Sequence, residues 1–153
     1  MILYVDSSSA IKLYLRRVNV IEEGADTIYR IAEEADVVAT SRITYVEVMS
    51  GLAIAYYNTH RIVGEDDYRG LIEDFTQDWR SYVKVSVTNR VVRLAGDLAD
   101  RYILRGYDSV QLASALDLEQ RLGIKIIFST WDNDLLRAAP AEGLIIASNG
   151  GSS

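Results

Sequence analysis

Short runs of β-forming residues alternate with longer amphipathic segments along the chain, and no other feature of the sequence constrains its fold as strongly. The short runs predict strands at residues 2–5, 37–39, 83–87, 124–128 and 144–147. Apolar residues at helical spacing predict helices at residues 10–17, 20–34, 43–57, 65–82, 88–104, 109–122 and 133–139. Strands that alternate with helices form a parallel sheet covered on both faces. The sequence therefore predicts an α/β fold, a three-layer α/β/α sandwich around a central parallel sheet.

The 153 residues, 49% of them hydrophobic, have the size of one ordinary domain. We predict a single domain over residues 1–147 and a disordered tail over residues 148–153. The chain has no cysteine, which excludes disulfides, a thiolate metal site and a cysteine nucleophile. No apolar run approaches the roughly 20 residues that span a bilayer, and the N-terminus lacks a basic signal-peptide region. These features predict a soluble, cytoplasmic protein with no membrane association.

A formal net charge of -6 constrains the partners of this chain. Proteins that bind nucleic acid normally contact its phosphates through a basic surface. Two interpretations remain: the protein binds no nucleic acid, or its negative charge is concentrated where a bound cation reverses the effect.

Four carboxylates stand in apolar or small-residue surroundings where an acid is unusual: Asp6, Glu47, Asp108 and Asp132. Asp6 is the only charged residue before Lys12, and Glu47 is the only charge between positions 43 and 60. Asp108 is the only charge over residues 106–116, and Asp132 closely follows an apolar strand. Burying a carboxylate without a partner costs several kcal/mol. Four such exceptions call for one common explanation.

The predicted topology supplies this explanation, because residues just past the carboxyl ends of parallel strands meet in one crevice. Carboxylates crowded there raise one another's pKa unless a cation neutralises them. With no cysteine and one histidine in the chain, the available ligands are oxygen atoms, which favour Mg²⁺ or Mn²⁺. Such an ion activates a water molecule and neutralises phosphate charge, which is the chemistry of phosphodiester or phosphoryl hydrolysis.

Each acid also has a simpler interpretation. The three aspartates are favoured helix N-caps and could serve that purpose alone. Glu47 lies too far into its helix to cap it, so a functional role is favoured there, and the alternative is a buried ion pair with Arg42 or Arg105.

Other polar and aromatic residues are less informative. Asp134 is interpreted as a solvated acid of a first helical turn, with a role as a further ligand left open. His60 lies in a polar bend and has no second histidine at a ligand spacing. The aromatic residues Tyr68, Phe75 and Trp79 are interpreted as packing residues rather than a base-stacking surface.

The surroundings of the four acids resemble the motifs of the PIN domain family, and in particular its VapC-type toxins. The matching stretches are YVDSSSAIKLY at residues 4–14, SRITYVEV at 41–48, YDSVQLASA at 107–115 and FSTWD at 128–132. Each stretch is weak evidence by itself, but the four occur in order across almost the whole chain.

The resemblance implies a Mg²⁺- or Mn²⁺-dependent endoribonuclease, the toxin of a type II toxin-antitoxin pair, with Asp6, Glu47, Asp108 and Asp132 as its catalytic and metal-binding residues. It also implies a homodimer, an RNA substrate and a cognate antitoxin whose tail lies across the active-site groove. On this interpretation Ser7 and Ser129 orient the carboxylates, and the candidate phosphate contacts are Lys12, Arg16 and Arg17.

Two competing functions come from other classes. A phosphatase or phosphotransfer domain would use Asp6 as its nucleophile, although many such enzymes have a second acid two residues on, where this chain has Ser8. A non-catalytic PIN-like module would bind RNA or an antitoxin without cleaving RNA.

Overall fold

The computed structural model describes residues 1–147. Their five strands form one central sheet. The strands are β1 (Ile2–Val5), β2 (Val37–Ser41), β3 (Val83–Val85), β4 (Ile127–Ser129) and β5 (Ile145–Ile146). They are arranged in the order β3-β2-β1-β4-β5, and each neighbouring pair is parallel. The α/β class and the parallel sheet predicted from the alternation are therefore confirmed.

The helices form two layers, one on each face of the sheet. They are α1 (Ser7–Arg16), α2 (Ala25–Glu34), α3 (Thr44–Tyr57), α4 (Glu65–Trp79), α5 (Asn89–Tyr102), α6 (Gly106–Leu122) and α7 (Asn133–Ala141). In β1, Leu3 and Val5 contribute to one apolar core together with residues of α1 to α4, whereas Tyr4 contributes to a second core with residues of α5 to α7. This alternation is the period of a strand buried on both faces, and it confirms the three-layer sandwich.

Three helices begin at least three residues away from the predicted positions, and for two of them the residue before the first turn explains the difference. Helix α1 begins at Ser7 because Asp6 is itself the N-cap. Helix α2 begins at Ala25, well after the predicted start at position 20, because Gly24 at φ 80° ends the preceding turn. Helix α6 begins at Gly106, three residues before the predicted start at position 109.

Smaller differences occur at the edges of other elements. Strand β2 is two residues longer than predicted, because Thr40 and Ser41 also belong to it, and the Thr40 hydroxyl donates to the carbonyl of Val5. Helix α7 continues past the predicted end at position 139 to Ala141, with Pro140 inside its last turn. Strands β3, β4 and β5 and helices α4 and α5 are shorter than predicted at one or both ends.

The predicted disordered tail, residues 148–153, lies outside the described residues. In the part of the chain that the structure describes, no helix has both the length and the apolar character needed to cross a membrane.

Candidate active site

A cavity of about 700 Å³ opens at the carboxyl edge of the sheet, beside the ends of β1 and β4. These two strands are neighbours, with Val5 paired to Ser129, so the chain leaves both at the same place. The first half of α1, the beginning of α3 and the first turns of α6 also line it. All four acids singled out from the sequence line this one cavity: Asp6, Glu47, Asp108 and Asp132. The strand ends thus bring together side chains that are far apart in the sequence.

Asp6 is the most buried of the four acids, with 2% of its surface exposed. Its Oδ1 accepts hydrogen bonds from the Ser9 amide at 2.9 Å and the Ser8 hydroxyl at 2.7 Å, and its Oδ2 accepts one from the Thr130 hydroxyl at 2.5 Å. Burial raises the pKa of Asp6 to about 6, and these hydrogen bonds oppose the rise. Asp6 therefore caps α1 and also presents a buried carboxylate to the cavity, so the two interpretations of this residue are compatible.

Glu47 is held by two neutral donors. Its Oε2 accepts from the Ser7 hydroxyl at 2.8 Å, and its Oε1 accepts from Gln111 Nε2 at 2.9 Å. Within residues 1–147 Glu47 forms no ion pair, so the alternative of a pair with Arg42 or Arg105 is wrong. The prediction that Ser7 orients a carboxylate agrees with its contact.

Gln111 is a residue of this site that the sequence reasoning missed. It is 1% exposed, and both of its amide hydrogens are used, one on Glu47 and one on Thr44 Oγ1 at 2.8 Å. Its Oε1 accepts from the Tyr4 hydroxyl, also at 2.8 Å. Because each end of the amide is occupied, Gln111 has one orientation and fixes Glu47 Oε1 as an acceptor.

Asp108 and Asp132 are both half-buried, more exposed than Asp6, and Arg105 bridges them. Arg105 Nε lies 3.0 Å from Asp108 Oδ2, and Arg105 Nη2 lies 3.0 Å from Asp132 Oδ2. The pKa of Asp108 is raised, first by burial and then by repulsion from Asp132, and Arg105 opposes both effects. The cap interpretation is wrong for Asp108, because Arg105 is the N-cap of α6 and Asp108 lies in the first turn. It is right for Asp132, whose Oδ1 accepts from the first amides of α7.

The carboxylates that line the cavity have the chemistry that a hard divalent cation requires, but they are spaced too far apart to coordinate one together. Within residues 1–147, no three acidic, histidine or cysteine side chains stand close enough together to hold an ion in the arrangement described. The cavity nevertheless offers carboxylate oxygens without nitrogen or sulfur ligands, which is the chemistry that Mg²⁺ and Mn²⁺ prefer. A guanidinium group already bridges two of the acids, which shows that positive charge is stabilised at this place.

The predicted phosphate contacts lie in ion pairs away from the cavity. Lys12 pairs with Glu22, Arg16 with Asp26, and Arg17 with Asp74 and Asp78. None of the three lines the cavity, and among the described lining residues the only cation is Arg105.

The remaining candidates are also placed outside the cavity. The Ser129 hydroxyl pairs with that of Ser9 at 2.8 Å rather than with a carboxylate, so the orienting role expected of it falls to Ser8 and Thr130. Asp134 forms an ion pair with Arg137. His60 is exposed in the turn after α3.

The aromatic residues pack as the sequence predicted. Tyr45 contacts both Phe75 and Trp79, and the ring of Tyr68 stacks on that of Tyr56 between α3 and α4. They contribute to the interface of these helices and not to the acidic cavity.

The parallel sheet and the acid-lined groove at its carboxyl edge define an α/β domain with an acidic cleft. Residues 3–140 match the model of the PIN domain family. The chain is 31% identical over 146 residues to Ribonuclease VapC45 of Mycobacterium tuberculosis, a match that covers 95% of this chain and 94% of that protein. The chain therefore belongs to the PIN domain family, and the resemblance to VapC-type proteins drawn from the four motifs is confirmed.

Solved structures share the fold at lower sequence identity. A chain of a toxin-antitoxin complex from Klebsiella pneumoniae superposes with a TM-score of 0.62 at 17% identity, over 96% of this chain and 98% of that one. A chain of VapBC2 from Rickettsia felis, solved with a DNA fragment from its promoter, has a TM-score of 0.62 at 10% identity, over 95% of this chain and 97% of that one. At these identities the likeness concerns the fold.

Proposed function

We propose that this protein is a Mg²⁺- or Mn²⁺-dependent endoribonuclease and the toxin of a toxin-antitoxin pair. The single observation that carries the proposal is the convergence of Asp6, Glu47, Asp108 and Asp132 on one cavity at the carboxyl edge of the sheet. The relative named a ribonuclease matches nearly the whole chain, which supports RNA as the substrate.

The residues of the chain divide the work of such a reaction. Ser7 and Gln111 hold Glu47 as an acceptor, and Ser8 and Thr130 do the same for Asp6, so both carboxylates keep their positions before any substrate arrives. When bound, a divalent ion supplies neutralisation of phosphate charge and an activated water. The acids would hold that ion, and its positive charge would offset the repulsion between the acidic cavity wall and the phosphates of RNA.

An antitoxin and a second copy of the chain are the partners that we propose beside RNA. The structural neighbours include toxin-antitoxin assemblies, and an acidic groove suits an inhibitory segment that carries positive charge. The homodimer rests on family membership alone.

The test is cleavage of a panel of structured and single-stranded RNAs by the purified protein without its antitoxin. We expect cleavage with Mg²⁺ or Mn²⁺, none with EDTA, and a loss of more than about 100-fold in Asp6→Asn and Asp108→Asn, because a ligand should matter at least as much as the residue behind it. Asp134→Asn is the matched control, since it also removes one carboxylate charge, and the Asp134 side chain pairs with Arg137 outside the cavity lining. Cleavage retained in both site variants would overturn the proposal.

The same preparation discriminates the competing functions. Metal uptake without cleavage of any RNA in the panel would favour a non-catalytic module. A phosphorylated Asp6 trapped from a phosphate-ester substrate would favour a phosphotransfer enzyme. That second result is not expected, because three donors occupy the Asp6 oxygens and residue 8, where many such enzymes have an acid, is a serine bonded to Asp6.

A further inference from the structure

Arg105 stands apart from every other residue of the cavity wall. It is the only cation among the described lining residues, and it contacts two of the four acids at once. The site as proposed above has no use for a guanidinium group in that position, because the two carboxylates it bridges are those expected to hold a metal ion.

We propose that Arg105 is an intramolecular competitor of the divalent ion, a residue that occupies Asp108 and Asp132 until the metal displaces it and that thereby sets the metal affinity of the site. This inference rests on the proposed function, since it assumes that the acids bind a divalent cation.

The competition is for particular atoms. Asp132 Oδ1 is committed to α7, where it accepts the amides of Asp134 and Leu135 at 3.0 Å each. Only Oδ2 remains for a ligand in the cavity, and that is the oxygen which Arg105 Nη2 holds. Arg105 and a metal ion therefore require the same Asp132 oxygen.

Arg105 is placed where it can leave. Its side chain is 77% exposed, whereas those of Asp108 and Asp132 are 18% and 17% exposed. Exposed arginine-carboxylate pairs are weak, because water competes for both partners and the long side chain loses freedom in the pair. A divalent ion carries twice the charge of a guanidinium group and needs no such ordering, so it can replace Arg105.

The backbone around Arg105 is not anchored by a side-chain cap. Arg105 is the N-cap of α6, and it has no side-chain hydrogen bond to the helix amides. Ile103, two residues earlier, adopts φ 55° with 88% of its surface exposed. Leu104, between them, is buried in the apolar core, so the backbone is held in place while little packing resists a movement of the exposed Arg105 side chain.

The test is calorimetric titration of Mn²⁺ into the purified full-length protein without RNA, comparing wild type with Arg105→Gln, Arg105→Lys and Arg137→Gln. Arg137→Gln is the matched control, because Arg137 forms the same i,i+3 pair with an aspartate, Asp134, has a comparable exposure of 74%, and lies outside the cavity lining. We expect Arg105→Gln to bind Mn²⁺ roughly three- to tenfold more tightly than wild type and Arg137→Gln to bind like wild type. Arg105→Lys should fall between, since lysine keeps the charge but lacks the planar fork of separate donors with which arginine contacts each acid.

A second readout is the salt dependence of the same titration. Added salt screens an exposed pair, so the advantage of Arg105→Gln over wild type should shrink as ionic strength rises. Unchanged or weaker Mn²⁺ binding by Arg105→Gln, beside normal binding by wild type, would overturn the competition and leave the proposed function standing. An absence of Mn²⁺ binding in wild type and in all three variants would overturn the proposed function and the inference with it.

Discussion

The two ends of the acidic cluster solve the problem of crowded negative charge in different ways. At the inner end, Asp6 and Glu47 accept hydrogen bonds from hydroxyl, amide and backbone donors, and no cation pairs with either within residues 1–147. At the outer end, Arg105 bridges Asp108 and Asp132.

The inner carboxylates are held in position without charge compensation, and the outer carboxylates are compensated without being held firmly. Neutral donors on α1, on α6 and at Thr130 just after β4 fix where the inner carboxylates lie, but they leave the cost of burying the Asp6 charge largely in place. An exposed arginine compensates charge at the outer end without fixing it strongly. The inner end is thus preorganised for a cation, and at the outer end a metal ion can take the place of Arg105. Each of the following substitutions or conditions changes one end alone.

The largest effect should follow from loosening the inner end through Gln111→Met. Methionine has a similar length but cannot donate to Glu47 or accept from Tyr4, so Glu47 loses its fixed orientation. Removing a residue that orients a ligand costs about 10- to 100-fold in metal affinity or activity, and we expect that loss in both. Calorimetry with Mn²⁺ and single-turnover RNA cleavage are the measurements.

Gln120→Leu on the exposed side of the same helix is the control for Gln111→Met. Gln111→Met should also lower stability by about 1 to 3 kcal/mol, because Tyr4 and Thr44 lose a buried partner. A loss of stability with unchanged Mn²⁺ affinity would show that Gln111 supports the fold and does not position Glu47.

A smaller effect should appear in the pH dependence of the free energy of unfolding, because Asp6 at the inner end has a raised pKa. Burial raises the pKa of Asp6 to about 6 in the folded protein, above its ordinary value of about 3.9 in an unfolded chain. The folded state therefore holds the Asp6 proton more tightly, and stability contributed by protonated Asp6 is lost as pH rises from about 4 through 6. The loss amounts to about 1 to 3 kcal/mol.

Urea unfolding of wild type and Asp6→Asn in EDTA measures this contribution. Asparagine cannot ionise, so the variant should gain on wild type as pH rises through about 6, and the difference should stay constant at higher pH. A pH-independent difference between the two proteins would mean that Asp6 is not the source of the cost, and the contrast between the two ends would lose its electrostatic basis.

The fold and the membership of the acid cluster could be predicted because both depend on local patterns. Alternating strands and helices fix a parallel sheet, and a parallel sheet fixes where its strand ends lie. Glu47 was informative because an acid in a largely apolar helix is rare, whereas the aspartates became informative only as a set.

The partners of the acids could not be predicted in the same way. Gln111 lies in a helix of small and apolar residues, where a glutamine at a buried position looks no different in sequence from one facing solvent. The contact between Arg105 and Asp132 joins residues 27 positions apart, and it depends on how α6 is set against β4. The start of α6 was also missed, because its N-cap is an arginine that makes no capping hydrogen bond.

The smallest effect should come from the backbone at the outer end, through Ile103→Gly. Ile103 adopts a left-handed conformation, φ 55°, that costs a residue with a side chain about 1 to 2 kcal/mol, while glycine adopts it freely but loses more entropy on folding. Since the side chain of Ile103 is exposed, the balance should be a gain in stability of about 0.5 to 1 kcal/mol in urea unfolding. Ile124→Gly, at an exposed isoleucine with no such φ, should give no gain. A loss of stability in Ile103→Gly would mean that the entropy cost of glycine exceeds the cost of the left-handed conformation, and would contradict the expected strain at Ile103.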